Sequence, residues 1–248
     1  MQRYFLNENA EINQRFFITD KSDVHHINNV MRLSKDDNIV VNFLNKTYKS
    51  KILNVNDQIE IETIEALEIN TEFPIKITLC SGLIKADKYE WLLQKATELG
   101  ASHFIATQMD RSIVKLTEAK VHKKIDRWQK IVKEAAEQSY RQIIPDIKYI
   151  SNLDAIYDMI NEYDYVLIAY EETAKKGEKS NFKHILQNVK KDSQILMIFG
   201  PEGGFSEEEI HLFNDKATYI GLGPRILRAE TAPLYALSAL SYEIDLMR

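Results

Sequence analysis

The period of the hydrophobic pattern changes near residue 70. Before it, residues 38–44, 47–54 and 58–64 alternate apolar and polar positions as half-buried strands do, with Asn45-Lys46 as the hairpin turn. Residues 24–33 predict one short helix. Short strands without a long helix predict a small β-barrel, and Thr71-Glu72-Phe73-Pro74 reads as a linker. From residue 75 strands alternate with helices, which predicts βαβ units and a mainly parallel sheet. A strand at 75–80 precedes a helix whose Tyr89, Leu92, Leu93, Ala96 and Leu99 share one face. Asp87 is its expected N-cap, with Glu90 three residues on, and Gly100 closes it. A strand at 104–107 and a long basic helix at 118–139 follow. Residues 165–170 and 194–199 are near-continuous apolar runs, as central parallel strands covered on both faces require. Residues 218–222 form another strand, and 232–247 a final helix with Thr231 as N-cap and Pro233 in its first turn. Residues 175–181 read as a polar loop.

Composition narrows the class. At about 150 residues per domain, 248 residues suggest one large domain, or a small one joined to a larger one. Apolar residues make up 44% and charged residues 28%, ordinary for a globular chain and unlike a disordered one. No apolar run approaches the roughly 18 residues of a membrane span, and the first residues lack a signal-peptide core, so a cytoplasmic location is expected. With Cys80 as the single cysteine, an intramolecular disulfide and a thiolate metal cluster are both excluded. The six histidines show no metal-ligand spacing, so no metal is expected.

The net charge of −5 hides a marked asymmetry. Residues 111–141 carry nine Lys and Arg against four acids, whereas residues 52–72 carry six acids and no base. The basic strip suits either a solvated helix face or phosphate contacts.

Two glycine-containing loops follow strands, where α/β sheets bind ligands. One is Gly200-Pro201-Glu202-Gly203-Gly204-Phe205, leading into a helix opened by the capping box Ser206 and Glu209. The other is Gly221-Leu222-Gly223-Pro224-Arg225-Ile226-Leu227-Arg228-Ala229-Glu230-Thr231. Neither matches the dinucleotide fingerprint or the P-loop.

Together these two loops resemble the signature of the RsmE family, bacterial 16S ribosomal RNA uridine-N3 methyltransferases of the SPOUT superfamily. The resemblance runs the whole chain, through residues 1–8, His26, Arg32-Leu33, residues 94–100, Arg111, Glu137-Gln138-Ser139 and Arg141 to Pro145. Ala229 departs from the family's usual Thr, and Tyr140 stands where a small residue is common. The resemblance implies a PUA-like RNA-binding β-barrel at 1–72, then a SPOUT-type α/β methyltransferase domain at 73–248 with a C-terminal trefoil knot. It implies S-adenosylmethionine as cofactor, 16S ribosomal RNA of the small ribosomal subunit as partner, a role in ribosome biogenesis, and a homodimer. Carried over by position, the cofactor would be held by Ile168, Ala169, Gly200, Pro201, Glu202, Gly203, Gly204, Leu222, Gly223, Ile226, Leu227, Arg228 and Thr231.

Methylation of a uridine imide nitrogen requires the proton to leave and negative charge to be stabilised on the flanking carbonyls. Arg111, Arg141 and Arg228 are the cationic candidates, because a guanidinium stays charged and presents a fork. Glu230 is a carboxylate candidate that could equally orient Arg228 or cap the last helix, and Glu202 is another. The general base is not assigned. His26, Arg32, Lys115 and Arg127 are expected to contact RNA, with a plain barrel-surface role open for the histidine. Trp91 and Trp128 are expected to pack in the core, and Cys80 to be a buried strand residue. A non-catalytic RNA-binding factor and a methyltransferase for another nucleotide are the competing readings.

Overall fold

The computed structural model describes residues 1–172 and 180–247 in two compact units. The first contains Met1–Thr71 together with Glu137–Ile143, and the second contains Glu72–Ala136 with the chain from Ile144 onward.

The first unit is built on a five-stranded sheet. Its strands are β1 (Arg3–Phe5), β2 (Arg15–Ile18), β3 (Asn38–Asn42), β4 (Thr47–Val55) and β5 (Ile59–Leu67). They run in the order β1-β3-β4-β5-β2, antiparallel except for β1 beside β3. Alternation decides the inner face, so β5 buries Ile59, Ile61 and Thr63 and presents Glu60 and Glu62 outward. The short helix begins earlier than its apolar pattern suggests. Asp20 accepts hydrogen bonds from the amides of Ser22 and Asp23 and starts α1 (Lys21–His25), which widens into a π-turn over His26–Val30.

The segment 137–143 packs with this sheet for a specific reason. The Gln142 amide donates to Ile69 O and to Thr47 Oγ1 (3.2 Å) and accepts from the Thr71 amide (3.1 Å). The Asn42 side chain donates to Arg141 O at 3.0 Å. Tyr140, in the left-handed region at φ 60°, lies under the Arg3 guanidinium at 4.6 Å. The ring at this unusual position is therefore a cation–π platform for Arg3.

The second unit is a six-stranded parallel sheet. Its strands are β6 (Lys76–Gly82), β7 (His103–Thr107), β8 (Asp146–Ile150), β9 (Tyr165–Ala169), β10 (Gln194–Phe199) and β11 (Thr218–Ile220). Their order is β11-β9-β10-β6-β7-β8. Among the described residues its helices include α2 (Ala86–Glu98), α3 (Glu118–Gln138, whose last two residues group with the first unit), α4 (Leu153–Tyr157), α5 (Asn181–Asn188), α6 (Glu207–Leu212) and α7 (Ala232–Ser241). Central strand β10 shows why it reads as a continuous apolar run. Ile195, Met197 and Phe199 join the core formed with α2 and α7, while Leu196 and Ile198 join the core on the opposite face with Leu153, Ile156 and Phe213.

Several local expectations need correction. Helix α2 starts at Ala86, so Asp87 lies in its first turn rather than at the cap, where its charge still suits the positive helix end. Thr231 does occupy the N-cap of α7, but its side chain makes no capping bond. The final helix is regular only to Ser241 and continues as a π-turn over Tyr242–Leu246. Trp128 is buried against Tyr89, ring centroids 4.7 Å apart, but Trp91 is 44% exposed. It projects from the side of α2 that faces away from Leu92, Leu93 and Ala96. The expected polar loop at 175–181 lies outside the described residues up to 179, and Asn181 begins α5. Among the described residues no helix is long and apolar enough to cross a membrane.

Candidate active site

Adjacent parallel strands β11, β9 and β10 end together at Ile220, Ala169 and Phe199, and the loops leaving them enclose a cavity of about 630 Å³. That volume lies within the range of small-molecule sites, and its place at the carboxyl ends of parallel strands is where α/β sheets bind ligands.

The loop after β10 is shaped by its glycines. Gly204 sits at φ 70°, in the left-handed region, and its amide donates to Pro201 O at 2.9 Å, folding residues 201–204 into a turn. Gly203 has another role. A Cβ there would stand 2.8 Å from Arg111 Cβ and 2.9 Å from the Arg111 carbonyl oxygen, so only glycine lets the two loops touch. The Arg111 Nη1 donates to Gly203 O at 3.4 Å. Ser206 and Glu209 form the expected capping box of α6.

The second wall comes from residues 226–232. The carbonyl of Arg228 accepts from the amides of Thr231 (2.8 Å) and Ala232 (3.0 Å), turning the chain into α7. Glu230 is 8% exposed and its Oε1 lies 2.9 Å from Lys88 Nζ on α2. Burial pushes the Glu230 carboxyl up, but the Lys88 hydrogen bond, its own backbone amide and the Lys88 and Arg228 charges outweigh it, so it lies below the ordinary carboxylate range. Glu230 is therefore ionised at neutral pH, and its buried Oε2 has no hydrogen-bond partner.

The cavity gathers many of the residues named from sequence: Arg111, Ala169, Gly200 to Gly204, Ile226, Leu227, Arg228 and Glu230. Others stand outside its lining. Ile168 is fully buried in the β9 core, and Leu222 packs against the hydrophobic core. Gly223 is needed for its own φ of 94°, with open space where a Cβ would lie. Thr231, exposed at the N-cap of α7, is not among the lining residues. Arg141 is 3% exposed, belongs with the first unit and is not among the cavity's lining residues. Its carbonyl accepts from the Asn42 side chain, and the neighbouring Gln142 side chain bonds residues 47, 69 and 71. Of the expected RNA contacts, Arg32 is exposed at φ 52° and His26 Nδ1 pairs with Tyr4 Oη at 3.0 Å. Lys115 is exposed, but Arg127 gives both Nε and Nη2 to the Glu90 carboxylate at 2.7 Å each. Sequence reasoning missed Lys88, Tyr170, Glu171 and Glu172 as lining residues, and named Phe205 only as the end of the first glycine loop. Tyr170 packs edge-on against Phe205; the phenylalanine closes the first glycine loop, but nothing in either sequence neighbourhood reveals this contact.

Cys80 is fully buried in β6, and burial pushes its thiol well above the ordinary range. A thiol reagent should therefore label the native protein only at its unfolding rate. Rapid labelling in buffer would contradict the placement of β6.

A model of the RNA methyltransferase domain matches residues 71–241, and a model of the RNA methyltransferase PUA domain matches residues 18–63. Ribosomal RNA small subunit methyltransferase E of Bacillus subtilis is 44% identical, over 100% of this chain and 99% of the relative. The chain belongs to the RsmE family. Among solved structures, the RsmE of Neisseria gonorrhoeae bound to S-adenosyl methionine superposes with a TM-score of 0.83 at 28% identity, covering 97% of each chain. A methyltransferase of Legionella pneumophila, in complex with bound S-adenosylmethionine, gives a TM-score of 0.83 at 29% identity and 96% coverage of each. RsmE membership accounts for the two-unit organisation, a PUA-like unit and a parallel α/β unit. Among the described residues no group of three or more His, Cys, Asp or Glu side chains could hold a metal ion.

Proposed function

We propose that this chain methylates N3 of a uridine in 16S ribosomal RNA of the small ribosomal subunit, using S-adenosylmethionine bound in the cavity at the ends of β9 and β10. The observation that carries this reading is the convergence of the two family-signature loops on one cavity of suitable size. The residues present fit the cofactor. The turn at 201–204 and the 226–230 segment offer backbone groups, Phe199, Ile226 and Leu227 offer apolar contact for a purine, and Glu171, Glu172 and Glu202 offer negative charge to a cationic ligand. Ala169, Gly200, Pro201, Glu202, Gly203, Gly204, Ile226 and Leu227 are the proposed contacts.

When bound, S-adenosylmethionine would supply an activated methyl group with a neutral thioether as its leaving group, and the N3 proton would have to depart as well. The chain supplies position and charge. Arg228 and Arg111 hold fixed positive charge at the cavity, where it stabilises charge on the uracil carbonyl oxygens as the proton departs. Glu230, ionised and paired with Lys88, fixes that lysine and the neighbouring Arg228 instead of carrying a proton. The PUA-like unit, expected over residues 1–72 and found over Met1–Thr71 with Glu137–Ile143, presents Arg32 and His26 to RNA; Lys115, exposed in the second unit, is a separate proposed RNA contact. The α/β domain, residues 73–248, is proposed to carry the trefoil knot, to form a homodimer and to work in the cytoplasm.

Radiolabelled S-adenosylmethionine tests the reading directly. Label should enter the RNA of small subunits lacking the modification and should not enter large subunits. Tight cofactor binding without transfer to either subunit would contradict the reading and favour a non-catalytic RNA-binding factor or a methyltransferase for another RNA.

A further inference from the structure

A capping box normally satisfies one helix end and nothing else, with a carboxylate reaching back to its own N-cap amide. Here the carboxylate of Glu209 does two jobs. Its Oε2 accepts from the Ser206 amide at 2.8 Å, and its Oε1 accepts from the amide of Asp110, a residue of the β7–α3 loop, also at 2.8 Å. Ser206 repeats the link in the other direction. Its hydroxyl accepts from the Glu209 amide (3.2 Å) and donates to Asp110 Oδ2 at 2.6 Å. Both Ser206 and Glu209 are 8% exposed, so these bonds are shielded from water. The loop they grip is itself a closed turn. The Ser112 amide donates to Met109 O (3.0 Å), and the Met109 amide donates to Ser112 Oγ (3.2 Å). Arg111 lies at the centre of that turn, next to the anchored Asp110, with its backbone pressed on Gly203.

From this geometry we infer that Glu209 is a positioning residue, which sets the Arg111 guanidinium at the cavity by clamping the Asp110 amide. The inference rests on the proposed function, in which Arg111 acts on the RNA. A carboxylate is required because two amides need two acceptor oxygens. Glutamine offers one oxygen, and its amino group would face the second N–H.

A double-mutant cycle tests this, with kcat/KM for small-subunit RNA at saturating S-adenosylmethionine as the readout. Glu209→Gln should lower kcat/KM by roughly tenfold, the loss expected when a buried amide loses its charged acceptor. It should shift the cofactor Kd by less than about threefold, because the remaining oxygen can still cap Ser206. Arg111→Ala should cost at least as much, and the double variant should match Arg111→Ala alone, since no guanidinium is left to position. Multiplying effects would overturn the role of Glu209 while leaving the proposed function intact. An unchanged rate in Arg111→Ala would overturn both this inference and the assignment of Arg111 to RNA. If Glu209→Gln does not fold, Ser206→Ala, which removes the hydroxyl link to Asp110, enters the same cycle with the same two criteria.

Discussion

Valine at Gly82 is expected to abolish cofactor binding at ordinary concentrations while leaving the PUA-like unit folded. Gly82 is the last residue of β6, and a Cβ there would lie 2.6 Å from Pro201 Cδ, 2.8 Å from Pro201 N and 2.9 Å from Met109 Sδ. The methionine could swing aside, but the proline ring and its backbone nitrogen cannot, because Pro201 opens the turn closed by Gly204. The strain must therefore move the loop that walls the cavity. Overpacking of this kind costs about 1–3 kcal/mol for one methyl-sized intrusion. Valine adds two further carbons, so calorimetry should show the affinity for S-adenosylmethionine reduced by about 100-fold or more. Near-normal affinity would mean that the 201–204 turn does not hold the cofactor.

Arg228→Ala is expected to separate chemistry from cofactor binding. The arginine side chain lines the cavity and is exposed, while its carbonyl, which starts α7, is kept in the variant. Stability should therefore change by no more than about 0.5 kcal/mol, as for other surface substitutions. Removing one preorganised donor from a site of developing negative charge typically lowers kcat by about 100- to 1,000-fold. Single-turnover methylation should fall by that amount, with the cofactor Kd within about threefold of the unaltered protein. Equal losses in affinity and rate would assign Arg228 to the cofactor alone.

Much of this site was legible in the chain because its makers are local. The apolar runs that became β9 and β10 report burial on two faces, and the capping box at Ser206 and Glu209 fixes where α6 begins. The glycines at 200–204 announced a tight turn before any contact was known. What stayed hidden depends on partners distant in sequence. Nothing near Gly82 says that Pro201 will press on it, and nothing near Glu230 says that Lys88 will pair with it. Arg127 looked like a free cation because Glu90 lies 37 positions away. Arg141 shows the same limit more sharply. Its family motif suggested the active site, but the amide of its neighbour Gln142 is spent on residues 47, 69 and 71 of the first unit. Strand β8 alternates over Asp146-Ile147-Lys148-Tyr149, but it is only five residues long and buries a single side chain, Ile147, too short a run to stand out in the sequence.

The central claim is the identity of the methylated atom. Small subunits lacking the modification, incubated with this protein and S-adenosylmethionine and digested to nucleosides, can be read by mass spectrometry. The account predicts 3-methyluridine, formed at least about 100-fold more slowly when Arg228→Ala is used in its place. A methyl group on carbon 5, on a ribose hydroxyl or on another base would contradict it.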